Sequence, residues 1–322
     1  MASITWRMIQ KENFTHWEKL ADFLLLDDAQ RNQILKNPKF PLNLPKRLAE
    51  KIAKRTFNDP ILKQFLPVDL EHVESVGFVK EPLQDFAFKK EKKLLHKYQG
   101  RAMLLCTSAC AMNCRFCFRQ NFEYDREDKL FDEELILIEK DTTLEEIILS
   151  GGDPLSLSNK ILEDLFTRLS AIPHLKRLRI HTRFPIGIPE RIDSKFLTIL
   201  QSCPLQIYVV IHCNHAMELD PEILSKLKTI QKLGIPILSQ TVLLKDVNDE
   251  ANTLKELFNL LVDHGIQPYY LHQLDRVQGT AHFEVHEEKG LSLMKQLSAQ
   301  LSGYAVPRYV KEVPYEPSKV PL

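Results

Sequence analysis

From about residue 100 onward, short apolar runs alternate with stretches whose apolar residues recur at helical spacing. The runs 102–106, 145–149, 177–181, 206–211, 237–243 and 269–274 predict strands. Between them, 159–169, 194–200, 221–233 and 250–264 predict amphipathic helices. Gly234 and Gly265 stand just past two of these helices, where a left-handed residue is favoured. Repeated strand–helix alternation implies parallel strands joined by right-handed crossovers. The expected fold class is therefore α/β, an incomplete (β/α)6 barrel, with chemistry at the C-terminal ends of its strands.

The pattern differs on either side of this region. Residues 1–95 read as a helical extension, with helical spacing over 17–26 and 45–55 and breaks at Pro41, Pro45, Pro60 and Pro67. The barrel is expected over 96–303. Residues 304–322 carry Pro314, Pro317 and Pro321 and read as an extended tail. A basic stretch, Lys89-Lys-Glu-Lys-Lys-Leu-Leu-His-Lys97, is ordinarily a solvated face; its place just before a cysteine-rich segment leaves a functional reading open.

Composition narrows the function classes. The 322 residues hold 43 Lys+Arg and 43 Asp+Glu, a formal net charge of zero, which gives no support for binding nucleic acid through its phosphates. Hydrophobic residues at 44% and charged residues at 27% suit a globular protein. No apolar run approaches the ~20 residues that span a bilayer, and the first residues lack an apolar signal core. A cytoplasmic protein without a membrane partner is expected.

The six cysteines are unevenly placed. Cys106, Cys203 and Cys213 read as small buried side chains. Cys110, Cys114 and Cys117 form a C-x3-C-x2-C run in the loop after the first barrel strand. Clustered thiols in such a chain suggest metal ligands rather than disulfides. Three thiolates on a four-iron cluster leave one iron open for a small molecule. A zinc site would need a fourth ligand, and no second C-x2-C is present, so a remote histidine would have to serve.

Two further elements matter. Ser150-Gly151-Gly152-Asp153-Pro154 follows the second strand, where paired glycines allow close backbone approach; alone it reads as a plain strand-to-helix turn. Glu316-Pro-Ser-Lys319 lies at the other end; alone Lys319 reads as a solvated charge, although a lysine in an apolar pocket can form a Schiff base.

Together these motifs resemble the radical S-adenosylmethionine superfamily and, within it, the lysine 2,3-aminomutases. The Glu-Pro-Ser-Lys form is similar to the branch that modifies elongation factor P. The likeness runs over about 75–322 through His96-Lys-Tyr-Gln-Gly-Arg101, His181-Thr-Arg183, His212-Cys-Asn-His215 and Tyr269-Tyr-Leu-His-Gln-Leu-Asp-Arg276. It implies an isomerase turning L-α-lysine into (R)-β-lysine, with a [4Fe–4S] cluster, S-adenosylmethionine and pyridoxal 5′-phosphate. By matched position, Cys110, Cys114 and Cys117 bind the cluster. Ser150, Gly151, Gly152, Asp153, His212, Asn214 and Gln240 line the adenosylmethionine site. Lys97 and Arg101 grip the pyridoxal phosphate group, and Lys319 binds the aldehyde. Arg119 takes the substrate carboxylate, and Asp275 and Glu312 take its far ammonium.

The resemblance also implies an external reductant of flavodoxin or ferredoxin type, and leaves an oligomer open. In two places the chain departs from it. Glu312 stands where the family has Asp, and the sequence ends three residues after Lys319, without the cysteine-bearing zinc extension of the catabolic enzymes. The rival expectations are a catabolic or osmolyte-making lysine or glutamate aminomutase, and a non-catalytic iron–sulfur or zinc module that senses redox state.

Overall fold

The computed structural model describes residues 5–124 and 130–322. Among them, ten strands form one sheet in chain order: β1 (Lys89–Glu91), β2 (Leu94–Tyr98), β3 (Arg101–Thr107), β4 (Glu146–Gly151), β5 (Arg177–Thr182), β6 (Gln206–His212), β7 (Ile237–Val242), β8 (Gln267–His272), β9 (Arg308–Lys311) and β10 (Val320–Pro321). Pairing is parallel from β3 through β9 and antiparallel at the margins, β1–β2–β3 and β9–β10.

Each of the six expected strands is present in β3–β8, within two residues at either end. Parallel strands covered on both faces read as continuous apolar runs. β4 shows this: all its residues before Gly151 are buried. The helices Asn159–Ser170, Ser194–Ser202, Pro221–Gln231 and Ala251–Asp263 alternate with the strands as expected. Three begin on a side-chain cap, where Ile161, Phe196 and Ile223 amides donate to Ser158, Asp193 and Asp220. Gly234 and Gly265 have φ of +79° and +71°.

The C-terminal stretch holds more structure than an extended tail. After the helix Glu287–Gln300, β9 joins the sheet as a seventh parallel strand beside β8, and β10 folds back on it. Four residues with one buried pair, Tyr309 and Val310, are too few to display a period.

The sheet must also curl. β2 and β9 stand seven strands apart, about 34 Å if the sheet were flat. Yet Lys97, on β2, bonds Glu312, just after β9, at 2.7 Å. The two margins therefore face one another, as in a partial barrel.

Residues before β1 form short helices, among them Trp6–Gln10, Trp17–Leu24, Lys46–Lys51 and Pro60–Phe65. Their apolar residues share one continuous core with the barrel helices and strands. Trp6 meets Phe184 edge-on at 5.3 Å, and Pro45 packs against Gly187 so closely that a Cβ there would lie 2.5 Å from it. Among the described residues no helix is long and apolar enough to cross a membrane.

Candidate active site

The cysteine loop leaves the C-terminal end of β3 and is shaped from two directions. From one side comes the turn after β4. The amides of Gly152 and Asp153 donate to the carbonyls of Thr107 and Ala109 at 2.6 and 2.8 Å. Gly151 has φ +113°, and a Cβ on Gly152 would lie 2.4 Å from the Ala109 oxygen. Only glycine lets these two backbones touch. From the other side comes the N-terminal segment. Asn13 Nδ2 donates to the Ala111 carbonyl at 2.8 Å, and the Asn113 and Arg115 amides donate to the Asn43 and Gln64 carbonyls at 2.9 Å. The Arg115 guanidinium, 1% exposed, pairs with Glu71 and donates to the Phe40 carbonyl at 2.7 Å.

Cys110, Cys114 and Cys117 are free and partly buried. Burial, reinforced by Asp153 and then by the other two thiols, pushes Cys110 well above the ordinary range; burial and Cys114 push Cys117 up to about 11. Burial also raises Cys114, opposed by Arg183, whose NH1 donates to its sulfur at 2.8 Å. The thiols are near enough to raise one another, although among the described residues no three His, Cys, Asp or Glu side chains are gathered as a ligand set. As soft donors with little compensating charge they fit a centre that brings its own positive charge and displaces their protons.

Around the strand ends, the expected adenosylmethionine residues divide into two kinds. Asp153 was expected to contact a cofactor. Its carboxylate instead accepts from Thr182 Oγ1 at 2.8 Å and from the amides of Arg183, Phe184 and Leu155 at 2.8, 3.0 and 3.0 Å. It clasps the end of β4 to the end of β5, and burial lifts its pKa to about 6 against those bonds. Asn214 is likewise committed: Oδ1 accepts from the Val242 amide at 2.9 Å and Nδ2 donates to Gln64 at 3.0 Å.

His212 and Gln240 are different. They pair in register on β6 and β7, and His212 Nε2 is buried without a hydrogen-bond partner. The same holds for Nε2 of His181 on β5 and of His272 on β8, and for Ser239 Oγ on β7. Burial keeps all three imidazoles neutral, His212 down at about 4. A buried orphan polar atom is costly unless something else satisfies it. These atoms suit a polar ligand held at the strand ends. Ser150 lies buried on β4, in register with Leu105 of β3.

The two sheet margins bring a charged group together. Glu312 accepts from Lys97 at 2.7 Å, from Tyr98 Oη and from Lys319. Burial raises its pKa, but the Lys319 charge and these bonds outweigh that and hold it at about 2. Arg101 lies over the Tyr98 ring at 4.6 Å, and Lys319 over the Tyr270 ring at 5.9 Å. Asp275, just beyond β8, is raised to about 7, chiefly by burial, with Lys319 opposing and Glu312 and Asp85 assisting. Arg119, two residues past Cys117, donates through Nε to Asp85 at 3.0 Å. Asp85 thus occupies a carboxylate position on the arginine expected to hold a substrate carboxylate. Glu312, expected to hold a substrate ammonium, already holds the ammonium of Lys319.

L-Lysine 2,3-aminomutase from Escherichia coli (strain K12) is 42% identical over 286 residues, 88% of this chain and 83% of that protein. The enzyme of the same name from Haemophilus influenzae is 39% identical over 298 residues, covering 92% and 88%. The chain belongs to the lysine 2,3-aminomutase family. It is thus an isomerase. The 4Fe-4S single cluster domain family matches residues 98–184, which include all three loop cysteines. A radical SAM methyltransferase of known structure, from Sphaerobacter thermophilus, is similar at 19% identity over 67% of this chain and 68% of that one, with a TM-score of 0.48.

Six residues here have no role assigned from the sequence: His181, His272 and Tyr98, which stand in the motifs that carry the resemblance, and Gln64, Glu218 and Asp85, which stand in none. His181 and His272 had a usable signal, since the first ends a predicted strand and the second lies within one. Gln64, Glu218 and Asp85 had none, because each meets the site only through chain folding.

Proposed function

We propose that the protein converts L-lysine to (R)-β-lysine using a [4Fe–4S] cluster on Cys110, Cys114 and Cys117, S-adenosylmethionine, and pyridoxal 5′-phosphate on Lys319. The observation that carries this reading is the convergence of Lys319, Glu312 and Lys97 from opposite margins of the sheet, within electrostatic reach of Asp275, which also acts on Cys117. The cofactors, when bound, supply the radical and the electron-accepting ring.

The chain's own residues bind and orient. Lys97 and Arg101 offer two cations to a dianionic phosphate. That phosphate would compete with Glu312 for Lys97. The pyridoxal aldehyde would likewise compete with Glu312 for Lys319 Nζ, the amine that would bind it. Asp275 and Glu312 offer negative charge to the far ammonium of lysine, which would be costly to bury unpaired. Arg119 offers its fork to the substrate carboxylate, with Asp85 fixing its plane. His212, with the unpartnered His181 and His272, provides polar contacts to the adenosyl and pyridoxal groups, and Gln240 and the Ser150-Gly-Gly turn complete that wall. The carboxylate of Asp153 shapes the wall from behind. The branch reading, β-lysine made in the cytoplasm for elongation factor P, rests on Glu316-Pro-Ser-Lys319 and includes an external one-electron reductant.

Anaerobic reconstitution with iron, sulfide, adenosylmethionine and pyridoxal phosphate tests the reaction. Lysine labelled with 15N at C2 is expected to emerge with the label on C3. Label retained on C2 would overturn the reading. Lys319→Ala is expected to lose the visible absorption of bound pyridoxal while keeping iron. For the branch, elongation factor P in cells lacking this enzyme should lose its β-lysyl mass; free β-lysine disappearing instead would favour a catabolic or osmolyte role.

A further inference from the structure

Arg183 follows β5 directly and is held at its amide and at both terminal nitrogens, while its Nε is buried without a partner. Its amide is held by Asp153. One terminal nitrogen donates to Cys114 Sγ at 2.8 Å. The other donates to Gln64 Oε1 and Glu218 Oε2, both at 2.7 Å. The rings of Phe65 and Phe116 lie 5.0 and 5.5 Å from the guanidinium carbon. Glu218 is fully buried and accepts as well from the amides of Asn214 and His215 at 2.9 and 3.0 Å and from Gln64 Nε2 at 3.1 Å. A guanidinium so placed has little freedom to leave the sulfur.

We infer that Arg183 is a positioning residue that raises the reduction potential of the cluster through its hydrogen bond to the Cys114 sulfur, with Gln64 holding it there and Glu218 moderating it. The inference rests on the cluster reading above. The couple is a single electron passed from an external donor to the oxidised cluster, and Arg183 keeps its proton throughout. A donor to a ligand sulfur withdraws negative charge and so favours the state carrying the extra electron. A buried positive charge acts in the same direction, undiminished by water. Glu218, buried against the same guanidinium, opposes it. Gln64 belongs to the helix Pro60–Phe65 before the barrel, so the N-terminal segment enters the tuning of the cluster.

A potentiometric titration followed by electron paramagnetic resonance, on reconstituted full-length protein, separates this from a merely structural role. Arg183→Gln is expected to keep about four irons per chain and to shift the midpoint negative. The shift should reach at least tenfold in the reduced-to-oxidised ratio at fixed poise, about 59 mV for one electron. Glu218→Gln is expected to shift it the opposite way, because the guanidinium loses its counter-charge. Should Arg183→Gln fail to fold, Arg183→Lys keeps a cation opposite Glu218 and is expected to move negative by a smaller step. Opposite signs for the two positions support the inference; a loaded cluster with unmoved midpoints would overturn it alone. Wild-type protein that takes up no cluster would overturn it together with the reading on which it rests.

Discussion

Asp275 shows how one residue's surroundings set its use. Buried and raised to about 7, it carries its charge only above that pH. Negative charge is what a lysine ammonium needs, so KM for lysine is expected to fall as pH rises through about 7. Asp275→Asn should abolish that limb and raise KM at pH 8, with pyridoxal absorption unchanged; an identical KM profile would sink the assignment. Gly152 is constrained differently. A methyl group there meets backbone on every near contact, the Ala109 oxygen at 2.4 Å and Ser108 atoms at 2.8 Å. Backbone cannot step aside, so Gly152→Ala should cost at least about 1–3 kcal/mol and lower iron uptake. Gly303→Ala, with nothing within 4 Å, is the control and should do neither.

Among elements, the N-terminal segment is the surprise, because its short helices grip the loop that carries the cysteines. The Arg115–Glu71 pair is the firmest part of that grip, with side-chain exposures of 1% and 10%. Removing one partner of a buried pair leaves an uncompensated charge, worth about 3–5 kcal/mol. Glu71→Ala is expected to lower the urea midpoint accordingly and to speed loss of iron to a chelator. An unchanged rate of loss would mean that the segment packs on the loop without holding it. The strand-to-strand clasp of Asp153, whose carboxylate accepts from Thr182, Arg183, Phe184 and Leu155, works alongside this grip from within the barrel.

For the molecule as a whole, Glu312 joins the two margins of the curled sheet. Its pKa of about 2 against an ordinary 4.5 corresponds to about 3 kcal/mol of stability. A carboxyl group held down in the folded state stabilises it above the unfolded pKa. That contribution is lost as pH falls, here between about 4.5 and about 2. Urea unfolding of protein without cofactors should show this loss in the wild type. Glu312→Gln should be less stable at pH 7 and show a flatter decline over the same window. A decline as steep as the wild type's would place the closure elsewhere.

The periodicity of residues 102–274 determined the six parallel strands and their helices, because burial on both faces leaves a mark that needs no partner to read. Cys110, Cys114, Cys117 and Glu-Pro-Ser-Lys319 made the family legible as a resemblance, and relatives at 42% and 39% identity bear the family out. Folding in space decided the rest. β9 is too short to show a period and exists because β8 offers it an edge. The clasping roles of Asp153 and Asn214, the Asp85 partner of Arg119 and the bond from Arg183 to Cys114 join residues tens of positions apart. Such contacts depend on which strand ends become neighbours, and local sequence carries no trace of that.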